Sequence, residues 1–248
     1  MLPLRPPLTA KTLKTERARM DARPDGLLLV DKPAGVTSHD VVQLVRRAYG
    51  ERSIGHLGTL DPFATGLLLL LLGHSTRLAT FMVTDPKVYE ATIRFGAETD
   101  TDDCTGSVIR KSDPPSRESI DAAIPSLTGS ISQIPPAYSA KSVDGTRAYD
   151  AAREGKPIDL PPIMVRVDEW TVLGSRPTEL DVRIACGTGT YIRGLARDLG
   201  RATGSAAHLS ALRRTRCGSF DVAQAITVDQ IKRSPPPPLR LSVVSSNV

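Results

Sequence analysis

Apolar and polar positions along this chain repeat with two periods, and the switches between them mark the elements. Residues 26–30, "GLLLV", are an apolar run that stops at Asp31-Lys32-Pro33, which predicts a short strand ending in a turn. In residues 37–50, Val41, Leu44, Val45 and Ala48 recur at helical spacing. Thr37 and Asp40 suit a capping box at the start of that helix, and Gly50 suits its stop. The leucines at 67–72, bounded by Gly66 and Gly73, predict a buried central strand. Residues 75–84 predict a short helix ended by Asp85-Pro86.

In residues 88–99 the period becomes two. Ala91, Ile93 and Phe95 fall on one side, Thr92 and Arg94 on the other, as in a half-buried strand. A polar turn, "DTDDCTG" (100–106), leads on to 108–110 and predicts a hairpin. Residues 116–128 place Ile120, Ala123, Ile124 and Leu127 on one helical face. Strands are expected at 165–173 and 180–186. A helix over 191–204 turns Ile192, Leu195, Ala196 and Leu199 inward and carries Arg193, Arg197 and Arg201 on another face, the last two read as solvated. Strands and helices mix without βαβ alternation, so the expected class is α+β with a largely antiparallel sheet flanked by helices.

Two segments escape this pattern. Residues 129–162 are rich in Pro, Lys, Arg and Tyr and read as a loop, a short helix near 146–154 and a second loop. A long excursion with little core material inside a domain of this size suits a functional insertion. The other segment is "GHLGTLDPFATG" (55–66), read as a loop. Gly55, Gly58 and Gly66 allow tight backbone paths, and Pro62 biases Asp61 toward an extended conformation. Such a loop, anchored on a buried strand, would hold a carboxylate fixed at the mouth of a cleft. An ordinary Asp-Pro turn fits the same residues equally well.

Composition narrows the chemistry. The net charge of +5 is concentrated at the N-terminus, where Arg5, Lys11, Lys14, Arg17, Arg19 and Arg23 face only Glu16 and Asp21. A nucleic-acid surface must therefore come from local clustering, and Arg193, Arg197, Arg201, Arg213, Arg214 and Arg216 form the candidate cluster. Residues 1–23 are expected to be a basic disordered extension. They lack the apolar segment of a secretory signal, and an organellar transit peptide is the weaker reading. Residues 24–232 are expected to form one domain with the insertion at 129–162, followed by a Pro-rich tail, 233–248. The apolar run at 67–72 is too short to span a bilayer.

No cofactor or metal is expected. Cys104, Cys186 and Cys217 are far apart, and His39, His56, His74 and His208 show no metal-binding spacing. "DTDDCTG" lacks the central glycine and distal glutamate of a calcium loop and reads as a solvated turn. Dinucleotide, P-loop and serine-nucleophile motifs are missing. What remains is a site built on one carboxylate, Asp61.

"GHLGTLDPFATGLLLL" resembles the catalytic motif of the tRNA pseudouridine synthase B (TruB) family. "LLLVDKPAGVTSHDVV" (27–42), "KVYEATIRFGAETDTDDCTG" (87–106), "QIPPAYSAKSVDGTRAYDAAREG" (133–155), "GTYIRGLARDLG" (189–200) and "HLSALRRTRCGSF" (208–220) match that family in the same order. The similarity covers roughly residues 26–231. It implies the pseudouridine synthase fold with an RNA-clamping insertion. It also implies a reaction, the isomerisation of uridine to pseudouridine, at uridine 55 in the T-loop of tRNA, by base flipping and without a cofactor.

The resemblance assigns residues. Asp61 is the nucleophile. Tyr89 stacks on the target base and serves as proton acceptor, and Arg193 pairs with Asp61. Tyr191 and Leu212 line the uridine pocket, and His56 stands near the flipped nucleotide. On residue type alone Tyr89 is a strand tyrosine, and Tyr191 and Leu212 are core. Lys32 and Pro33 match a mainly structural motif. Lys141, Arg147, Arg153 and Lys156 of the insertion would meet phosphates of the T-arm. The expected partner is the tRNA T-arm, with no membrane and no obligate protein partner, in the cytoplasm. Bacterial members continue into a small RNA-binding module of the PUA type, which is not expected here. A catalytically silent tRNA-folding factor and a synthase for another RNA are the alternatives.

Overall fold

The leucine run at 67–72 lies at the middle of the structure because both faces of its strand are covered. The computed structural model describes residues 23–139, 142–143, 146–153 and 158–241. Strand β1 (Gly26–Lys32) leads into helix α1 (Ser38–Tyr49), which opens on the Thr37–Asp40 capping box and closes at left-handed Gly50, as the spacing predicts. Strands β2 (Ile54–Leu57) and β3 (Thr65–Leu72) pair antiparallel, so the first part of the segment read as loop is strand. Leu68, Leu70 and Leu72 pack with Val41, Val45 and Ile54 under α1. Leu67, Leu69 and Leu71 pack with Leu27, Leu29 and Cys217 on the opposite face. Two covered faces account for an apolar run without alternation.

The predicted helix after β3 is a 3-10 helix, Gly73–Phe81. Then come β4 (Lys87–Phe95), with the predicted alternation of buried and open positions, and the pair β5 (Ala97–Thr99) and β6 (Val108–Lys111). Helix α2 (Arg117–Ala123) passes into a 3-10 turn, Ile124–Leu127, because Pro125 cannot donate an α-helical bond. Strand β7 (Gly129–Gln133), the pair β8 (Ser142–Val143) and β9 (Thr146–Arg147), and helix α3 (Ala148–Arg153) follow. The chain continues with β10 (Ile163–Arg176), β11 (Glu179–Cys186), α4 (Ile192–Ala202), β12 (Ala207–Cys217), β13 (Phe220–Asp221), β14 (Ile226–Thr227) and α5 (Val228–Arg233).

The main sheet runs β14-β1-β3-β12-β4-β11-β10-β7, with β2 on β3 and β13 on β12. Among the described strands of this sheet only the pairs β1–β14 and β3–β12 are parallel, which gives the expected mixed, mostly antiparallel sheet flanked by helices. The long strand β12 carries no clear alternation in sequence, yet it joins the two halves of the sheet by pairing with both β3 and β4.

Three sequence readings need correction. The insertion is more firmly anchored than its composition suggests: β7 is an edge strand of the main sheet, and Gln133, Ala148, Ala151, Ala152 and Leu160 are buried. The turn at 100–106 is solvated only in part: Asp100, Cys104 and Thr105 are exposed, but Asp102 and Asp103 are 5% and 4% exposed. Arg197 is not a solvated helix residue either, being 6% exposed. Expectations for residues 1–22 and 242–248, and for Lys141 and Lys156, fall outside the described residues. Arg147 ends β9 and Arg153 ends α3, with side chains outside the described part.

Candidate active site

Seven residues connect β2 to β3, and both flanks of Asp61 in this turn are clamped. Ser38 Oγ accepts a hydrogen bond from the Leu60 N–H at 2.9 Å and contacts the Leu60 carbonyl at 3.2 Å. On the other flank the Pro62 carbonyl accepts from the Gly35 N–H at 2.8 Å and from Lys32 Nζ at 3.3 Å. Lys32 is fully buried and also donates to the carbonyls of Pro33 (2.9 Å) and Val36 (2.8 Å). The turn leaves through Gly66, whose φ of +103° and lack of a side chain are both required. A Cβ there would lie 2.2 Å from the Arg214 carbonyl oxygen.

The Asp61 side chain stays one-third open, at 33%, and meets Arg193 of α4 in a two-point contact. Arg193 Nε donates to Oδ2 at 2.9 Å and Nη2 to Oδ1 at 3.1 Å. Such a fork fixes the carboxylate plane as well as its place. The guanidinium is itself held from behind. Nη1 donates to the Thr101 carbonyl and Nη2 to the Tyr138 carbonyl, both at 2.9 Å, and Asp103 Oδ2 stands 3.7 Å away. The hydroxyls of Thr101 and Thr105 bind Asp103 in turn.

One turn along the helix, Arg197 pairs with Asp102 at 2.8 Å and donates to the Ile134 carbonyl at 2.7 Å. Burial pushes the Asp102 carboxyl up to about 6, against the pull of Arg197 and Arg193. Arg201, half exposed, binds Glu98, which Arg110 also holds. The arginine face of α4 is therefore zipped to residues 98–103, and Arg201 too is paired rather than simply solvated. Sequence reasoning missed these acidic partners. The signal was available in the 98, 102, 103 spacing set against arginines at i, i+4 and i+8.

Tyr89 of β4 is 7% exposed, and burial pushes its phenol up to about 12, with Arg214 acting in the opposite direction by charge and hydrogen bonding. Leu212 of β12 packs in one cluster with Leu60, Ala64, Tyr89 and Ile192. Tyr191 caps α4. Gln133 accepts from its backbone N–H at 2.9 Å and donates to its carbonyl at 3.1 Å. Burial raises the Tyr191 phenol, while Ser139 and Arg193 lower it. His56 of β2 is half-buried, and its ring is held below the usual histidine range by burial, then by Arg214 and His39. Its Nδ1 has no hydrogen-bond partner among the described residues.

Asp61, Arg193, Tyr89, Tyr191 and Leu212 thus gather where β4, β12 and α4 meet the clamped turn, and His56 stands at the start of that turn. A cavity of about 530 Å³ lies on the far side of Lys32, between α1 and α5, with Lys32, Pro33, Thr65 and Arg213 in its wall. Asp61, Tyr89 and Arg193 do not line it, so the candidate chemistry belongs to the turn. Among the described residues no three His, Cys, Asp or Glu side chains are grouped to hold a metal ion.

Residues 46–192 match the family model of the TruB family pseudouridylate synthase N-terminal domain. Residues 193–235 match that of the tRNA pseudouridylate synthase B C-terminal domain. The chain is 48% identical over 217 residues to the tRNA pseudouridine synthase B of Thermobifida fusca, covering 84% of this chain and 74% of that one. It is 51% identical over 209 residues to the protein of the same name from Leifsonia xyli, covering 81% and 69%. Among solved structures, a chain of a Cbf5-Nop10-Gar1 complex superimposes with a TM-score of 0.65 at 29% identity, over 85% of this chain and 55% of that one. A chain of an H/ACA RNP bound to a substrate RNA containing 2'-deoxyuridine gives 0.64 at 27% identity, over 86% and 54%. This chain spans about half the length of those two solved chains.

Proposed function

The chain belongs to the TruB family of pseudouridylate synthases, and from that membership we propose that it isomerises uridine to pseudouridine in tRNA, at uridine 55 of the T-loop. The observation that carries the reading is the two-point Arg193–Asp61 contact at a turn clamped on both flanks and open on one side. The reaction breaks the bond from N1 to C1′ of the ribose, turns the uracil and joins C5 to C1′. C5 then loses its proton to a base and N1 takes one from water, so nothing is oxidised or reduced.

Asp61 supplies the nucleophile, and Arg193 presents its carboxylate in one orientation. Tyr89 stacks on the uracil and accepts the C5 proton. Tyr191 and Leu212 close the pocket, and His56 meets the displaced nucleotide. The target base must leave its stack to reach Asp61, at a cost of a few kcal/mol offset by stacking and hydrogen bonding in the pocket.

Residues 24–232 form the catalytic unit in this proposal. The insertion at 129–162 grips the T-arm through Lys141, Arg147, Arg153 and Lys156. Support comes from the anchoring of its base, where Gln133 binds Tyr191 and the Tyr138 carbonyl binds Arg193, so that an RNA-held excursion would spring from the catalytic side chains. The enzyme acts on cytoplasmic tRNA without an obligate protein partner. Among the described residues no helix is long and apolar enough to cross a membrane.

The test is release of tritium from tRNA labelled at uridine C5, with the product located by carbodiimide modification. Tritium release and a new pseudouridine at position 55 are expected. No release, or a product only at another position or in another RNA, would overturn the assignment.

The rate should also depend on pH through Lys32. Its ammonium is lowered to about 8, chiefly by burial, with Asp61 pulling it up and Arg214 pushing it down. Below about 8 the group is charged and binds the three carbonyls that hold the Asp61 turn; as pH rises through that value the charge and one donor are lost. The rate is therefore expected to fall above pH 8, and Lys32→Arg, which stays charged, should abolish that alkaline limb. A limb unchanged in Lys32→Arg would assign it to another group.

A further inference from the structure

Arg214 is a buried guanidinium without a carboxylate beside it. Its side chain is fully enclosed, with the residue 1% exposed, and it forms no ion pair among the described residues. Nε donates to the Leu67 carbonyl at 2.8 Å and Nη2 to the Gly58 carbonyl at 3.0 Å. Gly58 in the catalytic turn and Gly66 at the start of β3 both lie against it. Gly58 has a φ of +77°, and a Cβ there would stand 3.4 Å from Arg214 Nη1. At Gly66 a Cβ would run into the Arg214 backbone.

On the sheet, Arg214 of β12 is the register partner of Tyr89 of β4, so the two side chains are cross-strand neighbours on one face, and the charge of the guanidinium opposes the effect of burial on the Tyr89 phenol. The same charge reaches His56 and Lys32. Burying a cation with no counter-ion is costly, and two carbonyl bonds do not require a full positive charge. Among the acidic groups that this charge reaches are the Tyr89 phenol and the Cys217 thiol, and Tyr89 is the one that the reaction uses.

We propose that Arg214 is a positioning residue for the reaction, bracing the glycine turn that presents Asp61 and acting by its fixed charge on Tyr89, its cross-strand neighbour. The proposal rests on the reading of this site as a pseudouridine synthase. A phenol buried among apolar groups would resist ionisation. A guanidinium fixed by two carbonyls on the neighbouring strand favours the charged form that a proton acceptor needs. The same side chain then serves both ends of the chemistry, since it binds the Gly58 carbonyl of the turn and neighbours Tyr89 across the sheet.

Two measurements test this, one of them independent of turnover. First, Arg214→Gln and Arg214→Lys are assayed on C5-tritiated tRNA. In Arg214→Gln, kcat should fall about 100-fold with KM within about threefold of wild type, as for loss of a group acting only in the transition state. Arg214→Lys, which keeps the cation, should recover part of that loss. Second, a trifluorotyrosine, whose phenol titrates far below tyrosine, is placed at position 89 and followed by fluorine NMR. Its midpoint should lie higher by about one unit or more in Arg214→Gln than with Arg214 present. An unchanged midpoint in folded protein would overturn the proposal. So would a raised KM with intact kcat, or a rate loss no larger than the loss of folded protein in a thermal melt. A wild-type protein that releases no tritium would overturn the synthase reading and the catalytic part of the proposal, with the fluorine midpoint still reporting the contact by itself.

Discussion

Asp61→Asn is expected to lower kcat by about 10⁴-fold or more while leaving RNA binding and folding nearly intact, because it removes the nucleophile and almost nothing else. The amide has the shape of the carboxylate but not its chemistry. Arg193 offers Nε and Nη2 to the two oxygens at 2.9 and 3.1 Å, and the amide nitrogen would turn a donor toward one of them. The side chain is one-third open, so water can relieve that conflict and the stability cost should stay near about 1 kcal/mol. Asp61→Glu makes the complementary case. It keeps the charge and adds one methylene to a turn clamped by Ser38 on one flank and by Lys32 and Gly35 on the other. The turn cannot retreat, so the carboxylate is misplaced by about 1 Å and the rate should fall about 100-fold. Single-turnover formation of pseudouridine, with filter binding of the same tRNA, separates these outcomes. An Asn variant retaining about one per cent of the wild-type rate would assign the nucleophile to another group.

Parts of this structure were legible where one physical period dominated. Helix α1 showed its apolar stripe, capping box and terminal glycine together, and β4 showed its alternation, because each has one buried face. The leucine run predicted a central strand for the same reason in reverse, having two buried faces. β12 was hidden because its pattern mixes causes. Leu209 and Leu212 are apolar and buried, Arg213 pairs with Asp31 at the surface, and Arg214 is buried by carbonyl bonds that no local pattern encodes. β7 was hidden because "GSISQ" is a polar edge strand whose one fully buried residue, Gln133, spends its amide on the Tyr191 backbone.

The candidate site was legible as a list and not as an arrangement. Asp61, Tyr89, Arg193, Tyr191 and Leu212 came from ordered motifs, since spacing along the chain could not say that a residue near 61 meets one near 193. The groups that hold this set in place were missed. Asp102 and Asp103 looked like a polar turn, yet burial comes from the arginine face of α4 closing over them. Acidic side chains in a short loop are solvated unless cations cover them, and only the fold brings those cations.

Arg193→Met should be the most damaging substitution to the protein as a whole, acting on stability and rate together. The guanidinium is 5% exposed and binds four partners: the Asp61 carboxylate, the Thr101 and Tyr138 carbonyls and, at longer range, Asp103. A methionine fills much of the volume but leaves Asp103 buried without a nearby cation and two carbonyls unpaired. Removing one partner of a buried ion pair costs about 3–5 kcal/mol, which should appear as an earlier urea midpoint. Arg193→Lys keeps one charge but has three donors without the planar fork, so it should recover much of the stability and little of the rate. The rate loss in Arg193→Met should reach about 10³-fold, because Asp61 keeps its place in the turn but loses its orientation. A double-mutant cycle then isolates the mechanism from the fold. If Arg193 acts on catalysis through Asp61, adding Arg193→Met to Asp61→Asn should lower the remaining rate per folded molecule no further. Losses that simply multiply would show that Arg193 serves the reaction by another route, through the RNA or through Tyr138 and the base of the insertion.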